Sequence, residues 1–382
     1  MARLRRIFSL QDFEPAARRR LPKSVFGFVA GGAEDGRAVQ GNRAAFDDYA
    51  LRPRVLVDVS ARSQAVTLFG KRYASPFGIS PMGACALCWF EADLALARAA
   101  SAAGLPFVLS GPSSIPMERV IKEAPGAWYQ SYLPAGRERI GRLLERAATA
   151  GYEVLVVTVD VPVGANRENN LRNGFGMPVR LNLQLALDGL LHPRWLVGTL
   201  ATTLLRSGIP HFENYAAERG GTIIAAERGA HFAPRDAFTW SDIGWIRSQW
   251  KGKLVVKGIL RADDARRARE EGADGIVVSN HGGRQLDGAI APLRVLPEVV
   301  EAAKEAVVMM DGGIRRGTDV LKALALGAKF VFTGRPMLLA AAVAGEEGVR
   351  HAIALLRQEI DRDLALLGCA DISALGRDML AE

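Results

Sequence analysis

Residues Gly275 to Gly288 read GIVVSNHGGRQLDG. A run of β-branched residues, Ile276, Val277 and Val278, stops at Ser279, and Asn280, His281, two glycines, Arg284, Gln285 and Asp287 follow at once. A buried strand that ends in a polar loop has this form. His281 can move a proton near neutral pH. Arg284 offers a forked cation that matches a carboxylate or a phosphate. Gly282 and Gly283 let the chain turn sharply and let another group come close. An ordinary strand-to-helix loop with a surface His and Arg has the same form, so the surrounding chain decides.

Outward from this stretch the same pattern recurs in both directions. Apolar strand-like runs are PFGIS (76–80), LPFVLS (105–110), AWYQSY (127–132), VLVVTVD (154–160), KLVVKG (253–258), GIVVSN (275–280), AVVMMDGG (306–313) and KFVFTG (329–334). Alanine-rich helical segments separate most of them, among them EADLALARAASAAG, RERIGRLLERAATAG and GTDVLKALALGA. Strands buried on both faces read as continuous apolar runs, which is the mark of a parallel sheet. Eight such strand–helix units predict a TIM (β/α)8 barrel. A doubly wound sheet is the alternative, but no G-x-G-x-x-G follows an early strand and no P-loop sequence occurs. A barrel carries its reactive groups where strands end, and Gln130, Tyr132, Thr158, Asp160, Lys257, Ser279, His281, Asp311, Gly334 and Arg335 cluster there. The last two loops, DGGIRRGTD and TGRP, join glycines to arginines, a composition suited to a phosphate.

Three segments lie outside the repeat. Residues 10–50 read as helical with a break at Gly31-Gly32, and VTLFGKRYASP as a hairpin turning at Gly70-Lys71. Residues 161 to 252, between the fourth and fifth strands, form a long insertion with helices of its own. It contains His192, His211 and His231, in no metal-ligand spacing. The expected organisation is a single domain over 1–382: N-terminal helices and hairpin (1–75), barrel with insertion (76–360) and C-terminal tail (361–382).

Composition bounds the remaining possibilities. At 49% hydrophobic and 24% charged, 382 residues can bury a large core. No uncharged apolar run approaches the ~20 residues that span a bilayer, and the basic N-terminus lacks the apolar segment of a secretory signal. A cytoplasmic location is expected. Cys85, Cys88 and Cys369 argue against a disulfide framework, and a lone C-x-x-C pair reads as apolar packing. The net charge is +8, of which +5 sits in residues 1–24. Charge alone does not make a nucleic-acid binder, and none is expected.

The motifs SNHGGRQLDG, LVVKG, TVDVP followed by Arg167, and DGGIRRGTDVLKALALGA with GRP resemble those of the FMN-dependent α-hydroxy acid dehydrogenases and oxidases. The likeness runs from LPKSVFGFVAGGAED to the last helices. It implies FMN as cofactor, a small (S)-2-hydroxy acid such as lactate or mandelate as substrate, and a homotetramer. His281 then resembles the catalytic base and Asp160 the carboxylate paired with it; the base takes either the Cα proton or the hydroxyl proton. Arg284 and Arg167 resemble the substrate carboxylate clamp, and Tyr132 a hydrogen-bond donor to substrate. Lys257 resembles the charge beside flavin N1 and the C2 oxygen. Pro81, Met82, Gly83, Ser110, Gln130, Thr158 and Ser279 are implied contacts of the ring and ribityl chain. Asp311, Gly313, Arg315, Gly334 and Arg335 are implied holders of the ribityl tail and phosphate.

Three positions depart from the usual pattern. Phe28 stands where many members carry a substrate-binding tyrosine. Met82 occupies a position that is often Thr or Val. Gly83 stands where oxidases often carry Ala, which favours an electron acceptor other than O2, such as a membrane quinone. An oxidase that forms hydrogen peroxide is the alternative. Segment 181–215 is rich in Leu, and Arg194 and Arg206 flank Trp195-Leu196-Val197-Gly198-Thr199-Leu200. It is expected to touch the inner face of the cytoplasmic membrane, with Trp195 at the interface.

Overall fold

The computed structural model describes residues 4–224 and 235–381, so His231 lies outside the described residues. Eight strands form one parallel sheet: β1 (Phe77–Ile79), β2 (Val108–Ser110), β3 (Trp128–Ser131), β4 (Val154–Thr158), β5 (Lys253–Ile259), β6 (Gly275–Val278), β7 (Val307–Asp311) and β8 (Phe330–Thr333). Neighbours follow chain order, β8 returns to pair with β1, and a bridge from Ile79 to Phe107 joins β1 to β2. The sheet therefore closes into the expected TIM barrel.

A helix follows every strand. Met117–Glu123, after β2, carries apolar residues at 117, 120 and 121 but is only seven residues long, and the sequence expectation does not include it. Trp240–Gln249 is the helix of the fourth unit, so the inserted segment proper ends before it. The last helix, Arg335–Leu367, is interrupted at Ala344 and Gly345 and runs on past residue 360. At the N-terminus, short helices cover Phe13–Arg18, Lys23–Ala30 and Arg37–Ala44, and the middle one stops at Gly31.

The barrel interior explains where the polar residues go. Val108, Trp128, Val156, Val255, Val277, Met309 and Phe332 form a buried cluster closed by Leu68 and Tyr73 of the hairpin. Side chains two apart on a strand share a face. The residues two positions on from the first five and from Met309 are Ser110, Gln130, Thr158, Lys257, Ser279 and Asp311. One parity thus places an apolar layer low in the barrel and a polar layer above it, at the C-terminal ends of the strands.

The insertion is pinned to the body. Asp188 accepts from the N–H groups of Lys23 (2.9 Å) and Ser24 (2.8 Å), capping the helix Lys23–Ala30. Trp195 does not reach an outer interface as expected. It is 7% exposed, and its indole N–H donates to the Leu87 carbonyl at 2.7 Å. A buried indole needs such a partner, and the body of the protein supplies it.

Candidate active site

A cavity of about 1070 Å³ opens above the polar layer. His281, Tyr132, Arg167, Arg284, Lys257, Thr158, Asp311 and the Pro81–Gly83 backbone line it, as do Gly313, Arg315, Gly334 and Arg335. Ser110, Gln130 and Ser279 do not. They are fully buried: Gln130 and Ser279 lie one hydrogen bond behind the wall and Ser110 two. Ser110 donates to Gln130 Oε1 (2.9 Å), Gln130 Nε2 donates to Thr158 (3.0 Å), and Ser279 accepts from Lys257 (2.6 Å).

His281 has φ +57°, in the left-handed region that side chains other than glycine rarely adopt. Its Nδ1 lies 3.0 Å from Asp160 Oδ1. Burial pushes the Asp160 carboxyl up, but the charge and hydrogen bond of His281, with Lys257 nearby, hold it below the usual range. An ionised carboxylate only accepts, so Nδ1 carries the hydrogen, and in the neutral imidazole the lone pair is then on Nε2. There the Tyr132 hydroxyl sits 3.3 Å away. Burial, followed by the neighbouring Tyr215, pushes that phenol well up, so it stays a donor.

Lys257 sits on the cavity floor, bridged to Asp311 Oδ2 at 2.9 Å. Asp311 therefore faces the lysine, and among the described residues its Oδ1 is buried without a partner. Arg284 donates to the carbonyls of Val29 (3.2 Å) and Gly31 (2.8 Å). Arg335 uses the same two carbonyls, at 3.1 and 2.9 Å. Two guanidinium groups thus share the C-terminal carbonyls of one helix, where its dipole is negative. Burial, and then the charge of Arg167, push Arg284 well below its ordinary value. Burial and Arg43 push Arg315 down to about 10, and burial and Arg315 do the same to Arg335.

Sequence reasoning missed several lining groups. Gln285 accepts from Arg167 (3.1 Å) and donates to the Asp160 carbonyl (3.3 Å), tying Arg167 to the Asp160–His281 pair. Tyr215 and Phe212 pack edge to face with ring centroids 5.5 Å apart, and Arg235 lies 5.4 Å over the Tyr132 ring. Tyr215, Phe212 and Arg235 all lie in the insertion, where isolated residues give no motif. Phe28 lines the wall 5.1 Å from Phe175 and 5.2 Å beneath Arg284. A Cβ on Gly83 would meet Pro112 Cγ at 2.6 Å, so alanine there must shift that ring.

The family model for FMN-dependent dehydrogenases matches residues 17–382. The chain belongs to the FMN-dependent dehydrogenase family. It is 42% identical to (S)-mandelate dehydrogenase of Pseudomonas putida over 378 residues, covering 98% of this chain and 94% of that one. It is also 42% identical to L-lactate oxidase of Nostoc sp. over 380 residues, with 97% of each covered. A solved structure described as monotopic membrane protein (S)-mandelate dehydrogenase superposes with a TM-score of 0.91 at 40% identity, covering 99% of this chain and 100% of that one.

The residues present fit the FMN that this family uses. Arg315 and Arg335 are partly buried cations whose guanidinium groups donate to backbone carbonyls, and a phosphate dianion would relieve their mutual repulsion. The orphaned Oδ1 of Asp311 offers a buried acceptor to a hydroxylated chain. Gly313 and Gly334 leave the backbone accessible between these groups.

Proposed function

We propose that this enzyme oxidises an (S)-2-hydroxy acid with an aryl or similarly bulky apolar side chain to the 2-oxo acid, and that its electrons pass to a membrane quinone. One observation carries the reaction: His281 Nε2, backed by Asp160, faces the same cavity as Arg284 and Arg167. A carboxylate gripped by the two arginines sets the neighbouring carbon and its hydroxyl against the base. Tyr132, displaced from Nε2 when the imidazole is protonated, turns its hydroxyl to the substrate. The carboxylate of Asp160 then stabilises the imidazolium. FMN, when bound, supplies the two-electron acceptor that these side chains lack. Lys257 contributes a buried positive charge that offsets the negative charge gained on reduction.

The apolar side chain is argued from the wall. Phe28, Phe175, Phe212 and Tyr215 line the cavity, and Phe28 offers no hydroxyl to a small substrate. The membrane is argued from the insertion. On helix Leu183–Leu190 and its cap, Leu183, Leu187, Leu190 and Leu191 point outward together, and Leu205, in the same insertion, is 86% exposed. An apolar stripe turned away from the body needs a cover. No described helix is long and apolar enough to cross a bilayer, so contact from one side suits the segment. A homotetramer belongs to the same proposal, read by light scattering.

Anaerobic titration of the FMN-loaded protein with (S)-mandelate, L-lactate and glycolate, followed by flavin absorbance, tests the reaction. Reduction by mandelate ahead of lactate is expected; reduction by none of them would refute the reading. Membrane sedimentation with Leu183, Leu187, Leu190, Leu191 and Leu205 changed to Ser tests the surface, since these changes leave Asp188 and Trp195 in place. Wild-type protein that stays in the supernatant, and reduces a quinone analogue no faster than O2, would favour the oxidase reading, which the likeness to L-lactate oxidase also supports.

A further inference from the structure

His281, Gly282 and Gly283 have φ of +57°, +64° and +75°, three left-handed residues in succession. Such a loop persists only where its surroundings over-determine it. One anchor is Ser279, whose hydroxyl accepts from His281 N (3.1 Å), and the other is Asn280. Asn280 Oδ1 accepts from Gly283 N (3.1 Å) and from Asn42 Nδ2 (2.8 Å). Asn280 Nδ2 donates to Asn42 Oδ1 (2.7 Å) and to the Ile290 carbonyl (3.2 Å). The two amides thus form a reciprocal pair, 3% and 4% exposed, between residues 238 positions apart.

Asn42 is itself held. Its helix, Arg37–Ala44, begins on Asp287, which accepts from Arg37 N (3.2 Å) and Ala38 N (2.8 Å). Upstream, Ala33 N donates to the Gly283 carbonyl at 3.0 Å. On the other side a Cβ at Gly313 would collide with the Asn42 backbone oxygen. The helix is therefore wedged between the His281 loop and the Gly312–Gly313 turn. A buried amide pair gives little stability over an apolar pair of the same shape, but it demands one geometry.

We propose that Asn42 is a positioning residue for the reaction: through its paired amide with Asn280 it fixes the left-handed loop that aims His281 Nε2 into the cavity. Its test rests partly on the function proposed above. The FMN-loaded Asn42→Ala and Asn42→Asp variants are compared with wild type in (S)-mandelate oxidation, with kcat counted per bound FMN. Hydrogen exchange is measured over peptides spanning 279–288. Asn42→Asp keeps the shape but sets an acceptor, charged when ionised, against Asn280 Oδ1 in place of the donor, so it breaks the pair without opening a cavity and serves if the alanine variant does not fold. The expected result is a fall in kcat of about 10²-fold, the scale of a misplaced catalytic group, with KM barely moved because Arg284 is anchored separately on Val29 and Gly31. Exchange in 279–288 should quicken. Variants that lose only thermal stability, with kcat and local exchange as in wild type, would overturn the proposal. If wild type itself fails to oxidise mandelate, the proposed function falls, and exchange in 279–288 alone decides the role of Asn42.

Discussion

Replacing Asp160 with Asn removes one charge from the site and keeps its shape. The carboxylate stands 3.0 Å from His281 Nδ1, largely shielded from solvent. Once His281 has taken a proton, the pair is a full ion pair. At an effective dielectric near 20 the attraction at this distance is about 5 kcal/mol. Part of it survives in the variant as the dipole of the new amide, so the barrier should rise by about 3–5 kcal/mol, a ~10²–10⁴-fold slower reduction. The amide can also turn its NH2 toward Nδ1, which favours the tautomer that occupies Nε2 with a hydrogen and deepens the loss. The assay is anaerobic stopped-flow reduction of bound FMN by (S)-mandelate. FMN content should be unchanged, because Arg315 and Arg335 are untouched, and apparent substrate affinity should stay close to wild type. Reduction within tenfold of wild type would remove Asp160 from the dyad. The same charge has a stability consequence. A carboxyl held below its ordinary value in the folded state stabilises the fold above its unfolded value of 3.8, and that contribution disappears as pH falls through the folded value. Wild type should therefore lose more stability than Asp160→Asn when the unfolding midpoint is followed from neutral pH to below 3.8.

Arg284→Lys keeps the charge but loses the fork, so kcat/KM and inhibition by oxalate should both weaken by about 10–100-fold; unchanged values for both would place the carboxylate clamp elsewhere. Phe28→Tyr adds a hydroxyl to the wall beneath Arg284, and the lactate-to-mandelate ratio of kcat/KM should rise; a flat ratio would show that this ring does not meet the substrate. Arg335→Ala should weaken FMN by about 10–100-fold, for the loss of one or two charge-assisted hydrogen bonds, while riboflavin binding changes little. Equal losses for the two flavins, measured by fluorescence quenching, would mean that Arg335 does not hold the phosphate.

What could be read in the sequence was local. Eight apolar runs separated by helical segments point to a parallel barrel, because strand burial leaves its mark within each short run. The polar ends of those runs also pointed to Thr158, Lys257, Ser279 and Asp311, since a period of two carries each strand's inner face from apolar to polar. Local patterns could not show which of these groups reach the cavity. Ser110, Gln130 and Ser279 lie behind its wall, and Asp311 turns to Lys257. Nor could they show the side of an amphipathic segment that meets the body: Trp195 turned inward to Leu87 while the leucines of 183–191 turned outward. The decisive contacts join residues far apart in the chain. Asp160 reaches His281 across 121 positions and Asn42 reaches Asn280 across 238, while Arg284 and Arg335 converge on the carbonyls of Val29 and Gly31. Composition and periodicity describe each segment's own preferences, whereas the left-handed turn at His281 exists only because distant segments close around it.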